Sequence, residues 1–260
     1  MLDETPRDTD PRSPTRASGV QSVERAFKLL ETMADSGGMI GLSRLASESG
    51  LPLPTIHRLL RTLVDLGYVR QEPSRAYVLG PQLLMLAEGS ERMLAVIARP
   101  YLARLVEDVG ESANLAMLDG DKAVYVAQVP SRHSMRMFTE VGRRVMLHCS
   151  AVGKVILAGL PDDEVQAILG RAGMPSRTGN TITDPEILMA ELSVIRERGY
   201  ALDEGEREIG VRCVGVAIEG IRHKLAVSIS GPSERVSDDL VQRALPFLTE
   251  TSERLAKEFA

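Results

Sequence analysis

A chain of 260 residues has room for one small and one medium domain, and its net charge of -5 and pI near 5.5 exclude an overall basic footprint for nucleic acid. Hydrophobic residues make up 43% of it, enough for packed cores, but aromatics only 3%, so aliphatic side chains must fill them. Two cysteines make no disulfide framework, no apolar run approaches the roughly 18 residues of a membrane span, and the N-terminus lacks the apolar stretch of a secretory leader; a reduced, cytoplasmic protein is expected.

Residues 1–18, rich in Pro, Thr, Asp and Arg, read as a disordered tail. A helix follows, with Ser22 as N-cap and Val23, Ala26, Phe27, Leu30 and Met33 as its apolar stripe. Asp35 to Gly38 breaks it. A short helix over 43–49 takes Ser43 as N-cap and turns Leu45 and Ala46 inward. Ser49-Gly50-Leu51 is the turn of a helix-turn-helix.

The second helix of that motif carries most of the information. Pro54 sits in its first turn, where a missing N–H costs nothing, and Gly67 ends it. Ile56, Leu59, Leu60, Leu63, Val64 and Leu66 share one arc of the helical wheel. Thr55, His57, Arg58, Arg61, Thr62 and Asp65 occupy the other, as donors suited to phosphates and base edges. Two β-prone runs, Tyr68 to Arg70 and Tyr77 to Leu79, flank the turn-rich loop 71–76 and complete a wing. Arg70 and Arg75 on it would meet the DNA backbone. One amphipathic helix alone says little; the order helix, turn, helix, wing and basic tip says much more. Ser43, Thr55, His57, Arg58, Arg61, Arg70 and Arg75 are therefore the candidate contacts to double-stranded DNA. Residues 19–80, the proposed DNA-binding domain, hold seven Lys and Arg against six Asp and Glu. Affinity must then come from a few convergent arginines and from more than one copy of the domain.

Residues 81–100 read as a linker helix, interrupted near Gly89 and Pro100, that leads into a second domain over 101–260. There, strands over 114–118 and 123–129 flank the hairpin signal Asp119-Gly120-Asp121. Met135 to Thr139 and Val145 to His148 are further expected strands. Helices are expected over 151–160, 162–170 and 184–199, the last capped by Asp184 with Pro185 at its first position. Strands over 200–204, 213–219 and 224–231 precede a closing helix, 237–259, broken or kinked at Pro246. The mixture indicates an α+β domain of sensor type.

Catalytic and metal motifs are missing from the sequence. Gly153-Lys154 is no phosphate loop, because His148 stands where Gly is required and Val155 where Ser or Thr is. His57, His133, His148 and His223 keep no zinc spacing with Cys or acids, and there is no Gly-x-Ser-x-Gly elbow. Cys149 follows His148, but neighbours in a strand point to opposite faces, so a buried thiol is expected rather than a nucleophile with its base. No cofactor and no metal are expected. An enzyme with an appended winged helix and a winged helix that binds protein are the competing readings. The first has no catalytic constellation, and the outward Arg58, Arg61 and Arg75 speak against the second.

The blocks GVQSVERAFKLLETMA, LSRLASESGLPLPTIHRLLRTLVDLGYV, LHCSAVGKVILAGL, GYALDEGEREIGVRCVGVAI and LAVSISGP occur in that order. They resemble the isocitrate lyase regulator (IclR) family along nearly the whole chain from Gly19. The resemblance implies a bacterial, ligand-responsive transcription factor: an N-terminal winged helix-turn-helix, a linker helix, and a C-terminal GAF-like α/β effector domain. It also implies dimers or tetramers on palindromic operators and a small organic acid as effector. The family's effector loop and helix start match Ser150, Ala151, Val152 and Gly153 here. Asp203 and Cys213 match further lining positions, Ser228 and Ser230 hydroxyl positions, and Val145 an apolar wall. Helix-start amides attract a carboxylate, hydroxyls donate to it, and Asp203 accepts from a hydroxyl or protonated acid. Two departures stand out. Leu53 and Pro54 replace the small polar pair common at the start of the recognition helix. Ala151-Val152 is bulkier than the Gly-Ala of some relatives, which argues against the same small ligand, with Met135 and Met137 offering adaptable apolar surface nearby.

Overall fold

Leu29 and Met33 repeat at i, i+4 on the first helix, α1 (Gln21–Asp35), and both are fully buried. In the computed structural model, which describes residues 20–260, they meet Leu45 of α2 (Leu42–Ser49) and Ile56, Leu60 and Leu63 of α3 (Leu53–Asp65). The expected stripe was thus one position off. Val23 and Phe27 are more than half exposed, while Leu29 replaces them in the core. The proposed tail, 1–18, lies outside the described residues. Neither Ser22 nor Ser43 caps a helix: α1 begins after Val20 and α2 after Gly41, and neither of those caps makes a side-chain bond. Gly50, in the left-handed conformation, ends α2.

The wing is a three-stranded sheet. β1 (Met39–Ile40), which the sequence reading missed, pairs with β3 (Tyr77–Leu79), and β3 pairs with β2 (Val69–Gln71), all antiparallel. Two residues give no readable alternation, which is why β1 escaped notice.

The chain divides into two compact units at Glu88/Gly89. α4 (Gln82–Val109) is helical through both expected breaks, Gly89 and Pro100. Gly and Pro lower helix propensity, but apolar packing of Ala98, Leu102 and Leu105 in the second unit outweighs it there.

The second unit is built on a six-stranded antiparallel sheet of order β6-β5-β4-β9-β8-β7. Its strands are β4 (Ser112–Asp119), β5 (Lys122–Val129), β6 (Arg144–Met146), β7 (Ala201–Glu204), β8 (Val211–Ile218) and β9 (Leu225–Pro232). Asp119 pairs with Lys122, so Gly120 and Asp121 form a two-residue hairpin turn. The expected strand at 135–139 does not form; that stretch is irregular and connects β5 to β6. The end of α4 and α8 (Asp238–Phe259), capped by Ser237 and continuous through Pro246, cover one face. α5 (Ala151–Ala158), α6 (Asp162–Ala172) and α7 (Pro185–Arg198) cover the other. Asp184 caps α7, its Oδ1 accepting from the Glu186 and Ile187 amides.

Strand alternation assigns the faces. On β9, Leu225, Val227 and Ile229 pack toward α8, and Ala226 toward α5. Ser228 and Ser230 therefore share the α5 face. Cys213 and Gly215 do so on β8, Asp203 on β7 and Asn114 on β4, because Val214 and Val216, Ala201, and Ala116 fix the parity of their strands.

Candidate nucleic-acid interface and effector cavity

On α3 the apolar arc is buried and the polar arc is open: His57, Arg58, Arg61, Thr62 and Asp65 are exposed. That arc has two sides. Thr55, Arg58 and Thr62 border an apolar groove against Val23 and Phe27 of α1, whereas His57 and Arg61 do not line it. Ser43 is exposed on α2 beside Arg44, which is tied to Glu48 at 2.6 Å. Arg70 leans on Glu72 at 3.3 Å. Arg75 stands exposed at the wing tip with φ +67, the one left-handed residue other than Gly among those described. Its N–H donates to Glu72 O at 2.8 Å, and Glu72 N–H donates to Ala76 O at 2.8 Å, which closes the turn. The tip thus holds its guanidinium out on a tight, locally strained loop.

The second candidate site lies where α5 meets the sheet. Register sets Ser112, Ser230, Cys213 and Asp203 side by side across β4, β9, β8 and β7. Asn114, Ser228 and Gly215 form the adjacent row. A Cβ on Gly215 would lie 3.3 Å from the Ala151 carbonyl carbon and 3.4 Å from the Val152 nitrogen. Its absence lets the start of α5 rest close on β8. Ser150 caps α5: its Oγ accepts from Gly153 N–H at 3.2 Å and donates to Met146 O at 2.9 Å. The amides of Ala151 and Val152 have no intrahelical acceptor at a helix start.

These elements enclose a cavity of about 20 Å³, the space of one water. Ser150, Ala151, Val152, Asp203, Cys213, Ser228 and Ser230, all picked from the sequence, line it together. Val145 and Gly153 do not. Val145 packs in the core under α5, and Gly153 is needed because any Cβ there would collide with the Leu147 backbone. The wall also includes Tyr125, Met137, Thr139 and Arg207, which the sequence reading missed or, for Met137, left conditional. Met135 is instead largely exposed.

A polar chain supports the floor. Thr139 N–H donates to Gln128 Oε1 at 3.0 Å, and Gln128 Nε2 donates to Asn114 Oδ1 at 2.9 Å. Asn114 Nδ2 donates to Ser230 Oγ at 3.1 Å and Ser228 Oγ at 3.5 Å. Both serines accept there, so their own O–H groups are left to donate. Burial pushes the Asp203 carboxyl up to about 6; the amides of Glu206 and Arg207 hold its Oδ1 and oppose the rise, while the Glu206 charge adds to it. Lys154 is a buried cation paired with buried Glu206, whose Oε2 has no hydrogen-bond partner. Removing one member would strand the other's charge.

His148 and Cys149 lie in a turn rather than a strand, and both are buried. The ring of His148 sits 3.2 Å from Pro175 O, and burial pushes its pKa below the usual value. Burial raises the Cys149 thiol to about 11, so it is no thiolate nucleophile at neutral pH.

A winged helix-turn-helix unit and a separate α/β unit with a closed polar cavity define a DNA-binding regulator with a ligand-binding domain. The IclR helix-turn-helix domain model matches residues 22–73, and the model of the bacterial transcriptional regulator IclR C-terminal domain matches 89–257. The chain is 38% identical over 229 residues to the transcriptional repressor IclR of Escherichia coli K12, covering 85% of this chain and 84% of that one. It is 34% identical to the regulator BhcR of Paracoccus denitrificans, covering 85% and 81%. The crystal structure of the Thermotoga maritima IclR superposes with a TM-score of 0.62 at 30% identity, covering 92% of this chain and 98% of that one. The protein belongs to the IclR family of bacterial transcriptional regulators; it is not an enzyme. No helix among the described residues is long and apolar enough to cross a membrane.

Proposed function

We propose that the protein is a repressor that binds palindromic operator DNA as a dimer or tetramer and is controlled by a small organic acid held in the second unit. The observation that carries this reading is the row of hydroxyl, thiol and carboxyl groups which the sheet register sets against the start of α5. Two free hydroxyl donors and two helix-start amides facing one space suit a carboxylate. The Escherichia coli relative is named a repressor, which favours that sign of regulation. Exposed Val20, Val23, Phe27 and Leu66 on the DNA-binding unit favour self-association.

At about 20 Å³ the cavity holds no organic acid as it stands. Entry requires a wall to move, and the irregular segment 130–143, which carries Met137 and Thr139, is the wall with least regular structure. Differential affinity for the closed and opened forms is then what an effector acts through.

The test pairs two variants with two measurements. Arg61→Ala is expected to weaken specific operator binding by about 1–3 kcal/mol, read by gel-shift titration at several salt concentrations. Ser228→Ala is expected to weaken a carboxylate effector, found by thermal-shift screening, about ten- to a hundredfold by calorimetry while leaving DNA affinity without effector unchanged. Equal effector affinity in Ser228→Ala and wild type would remove this cavity assignment.

A further inference from the structure

Beside the cavity lies a second hollow, of about 280 Å³, whose lining is almost entirely cationic in a chain that is acidic overall. Lys122 at the start of β5, Arg143 and Arg144 at β6, Arg177 in the loop after α6 and Arg207 after β7 converge on it, with Glu208 the one acid in its lining. Arg144 is neutralised by Asp119. Arg143, Arg177 and Arg207 make no ion pair with an acid among the described residues. Their convergence shows in what they act on: Arg177 and Arg207 both bear on the Cys149 thiol, and Arg143 and Arg207 both bear on the Tyr125 hydroxyl. Three unneutralised guanidinium groups around one concavity repel each other, and an anion placed among them removes that cost.

The hollow is joined to the effector cavity through Arg207 and Glu208, which line both. We propose that it is an anion-binding vestibule that takes the distal charged group of a polyanionic effector, a di- or tricarboxylate or a phosphorylated acid, whose other end enters the cavity at Ser228 and Ser230. This rests on the effector-cavity reading and names its ligand class. A concave site of this size fits a small polyanion, not the convex backbone of a DNA duplex.

The probes are propionate, succinate, tricarballylate and inorganic phosphate, titrated by calorimetry into the full-length protein at constant ionic strength. Wild type is expected to bind more tightly as charge rises from propionate to tricarballylate. The double variant Arg143→Gln/Arg177→Gln, at two exposed positions that leave the fold intact, is expected to lose about tenfold or more for tricarballylate and to leave propionate unchanged. Loss of phosphate binding in the same variant supports an anion site independent of the cavity. Affinity that does not rise with charge in wild type, including no binding of any polyanion at millimolar concentration, overturns the proposal. So does a double variant that keeps the charge dependence or loses operator affinity instead. The two readings fail differently. An effect of Ser228→Ala without one of the arginines keeps the cavity and removes the vestibule; the reverse keeps the vestibule as an anion site and removes the shared ligand.

Discussion

Asp203 faces Cys213, Tyr125, Arg207 and Glu208 at the cavity, with the Lys154–Glu206 pair behind it. Its carboxyl ionises near 6 rather than 3.8 because burial disfavours the charge. The folded state thus holds a proton that the unfolded chain releases. That contribution to stability is full below about pH 4 and is lost as pH rises through about 6. The same proton matters to an anionic ligand: ionised Asp203 repels it and protonated Asp203 donates to it. Carboxylate binding is expected to tighten as pH falls from 7.5 to 5.5, by at most about tenfold per unit, and Asp203→Asn is expected to flatten that profile. Calorimetry across the range decides; an unchanged slope in Asp203→Asn refutes the role. Arg75 offers a second test. Its left-handed backbone costs about 1 kcal/mol that Gly would not incur. Arg75→Gly is expected to raise the stability of the DNA-binding unit by roughly that amount, yet to weaken binding to all DNA sequences and lower the salt dependence. A gain in stability with no loss of DNA affinity would mean the tip meets no phosphate.

At the scale of elements, the contact of α5 with Leu147 is the tightest constraint on the cavity. α5 is buried along its whole length, and Gly153 lies on the Leu147 backbone. Backbone yields less readily than a flexible side chain. Gly153→Ala is expected to lower the stability of the second unit by about 1–3 kcal/mol or more, despite the higher helix propensity of Ala. Chemical denaturation measures it, and a neutral or stabilising effect would contradict the packing. From the sequence alone, Gly153 reads as a ligand contact. Its role became visible only when the turn before α5 was placed against it.

At the scale of the molecule, each unit has its own core. Leu60 is buried among α1, α3 and the wing, and Leu157 among α5, α6 and α7. Leu60→Ala and Leu157→Ala are each expected to cost about 2–5 kcal/mol, each in a different unfolding transition. Scanning calorimetry tests this; a single transition that both variants shift equally would show that the units unfold together. The sequence by itself determined the helix-turn-helix, the wing, the alternating strands and the polar face of α3. Those depend on local periodicity, turn chemistry and end signals, which a few consecutive residues carry. It missed β1, put the stripe of α1 one position off and broke α4, because a two-residue strand, a choice of face and a tolerated proline are decided by partners distant in the chain. It picked the serines of β9 and Asp203, but not Asn114, Gln128 or Arg207, which matter only through sheet register and loop closure. Which face each strand turned to α5, and hence that a serine row, a thiol and a carboxyl would meet across four strands beside an arginine-lined hollow, was decided by tertiary structure. A period of two names two faces and not which one is covered.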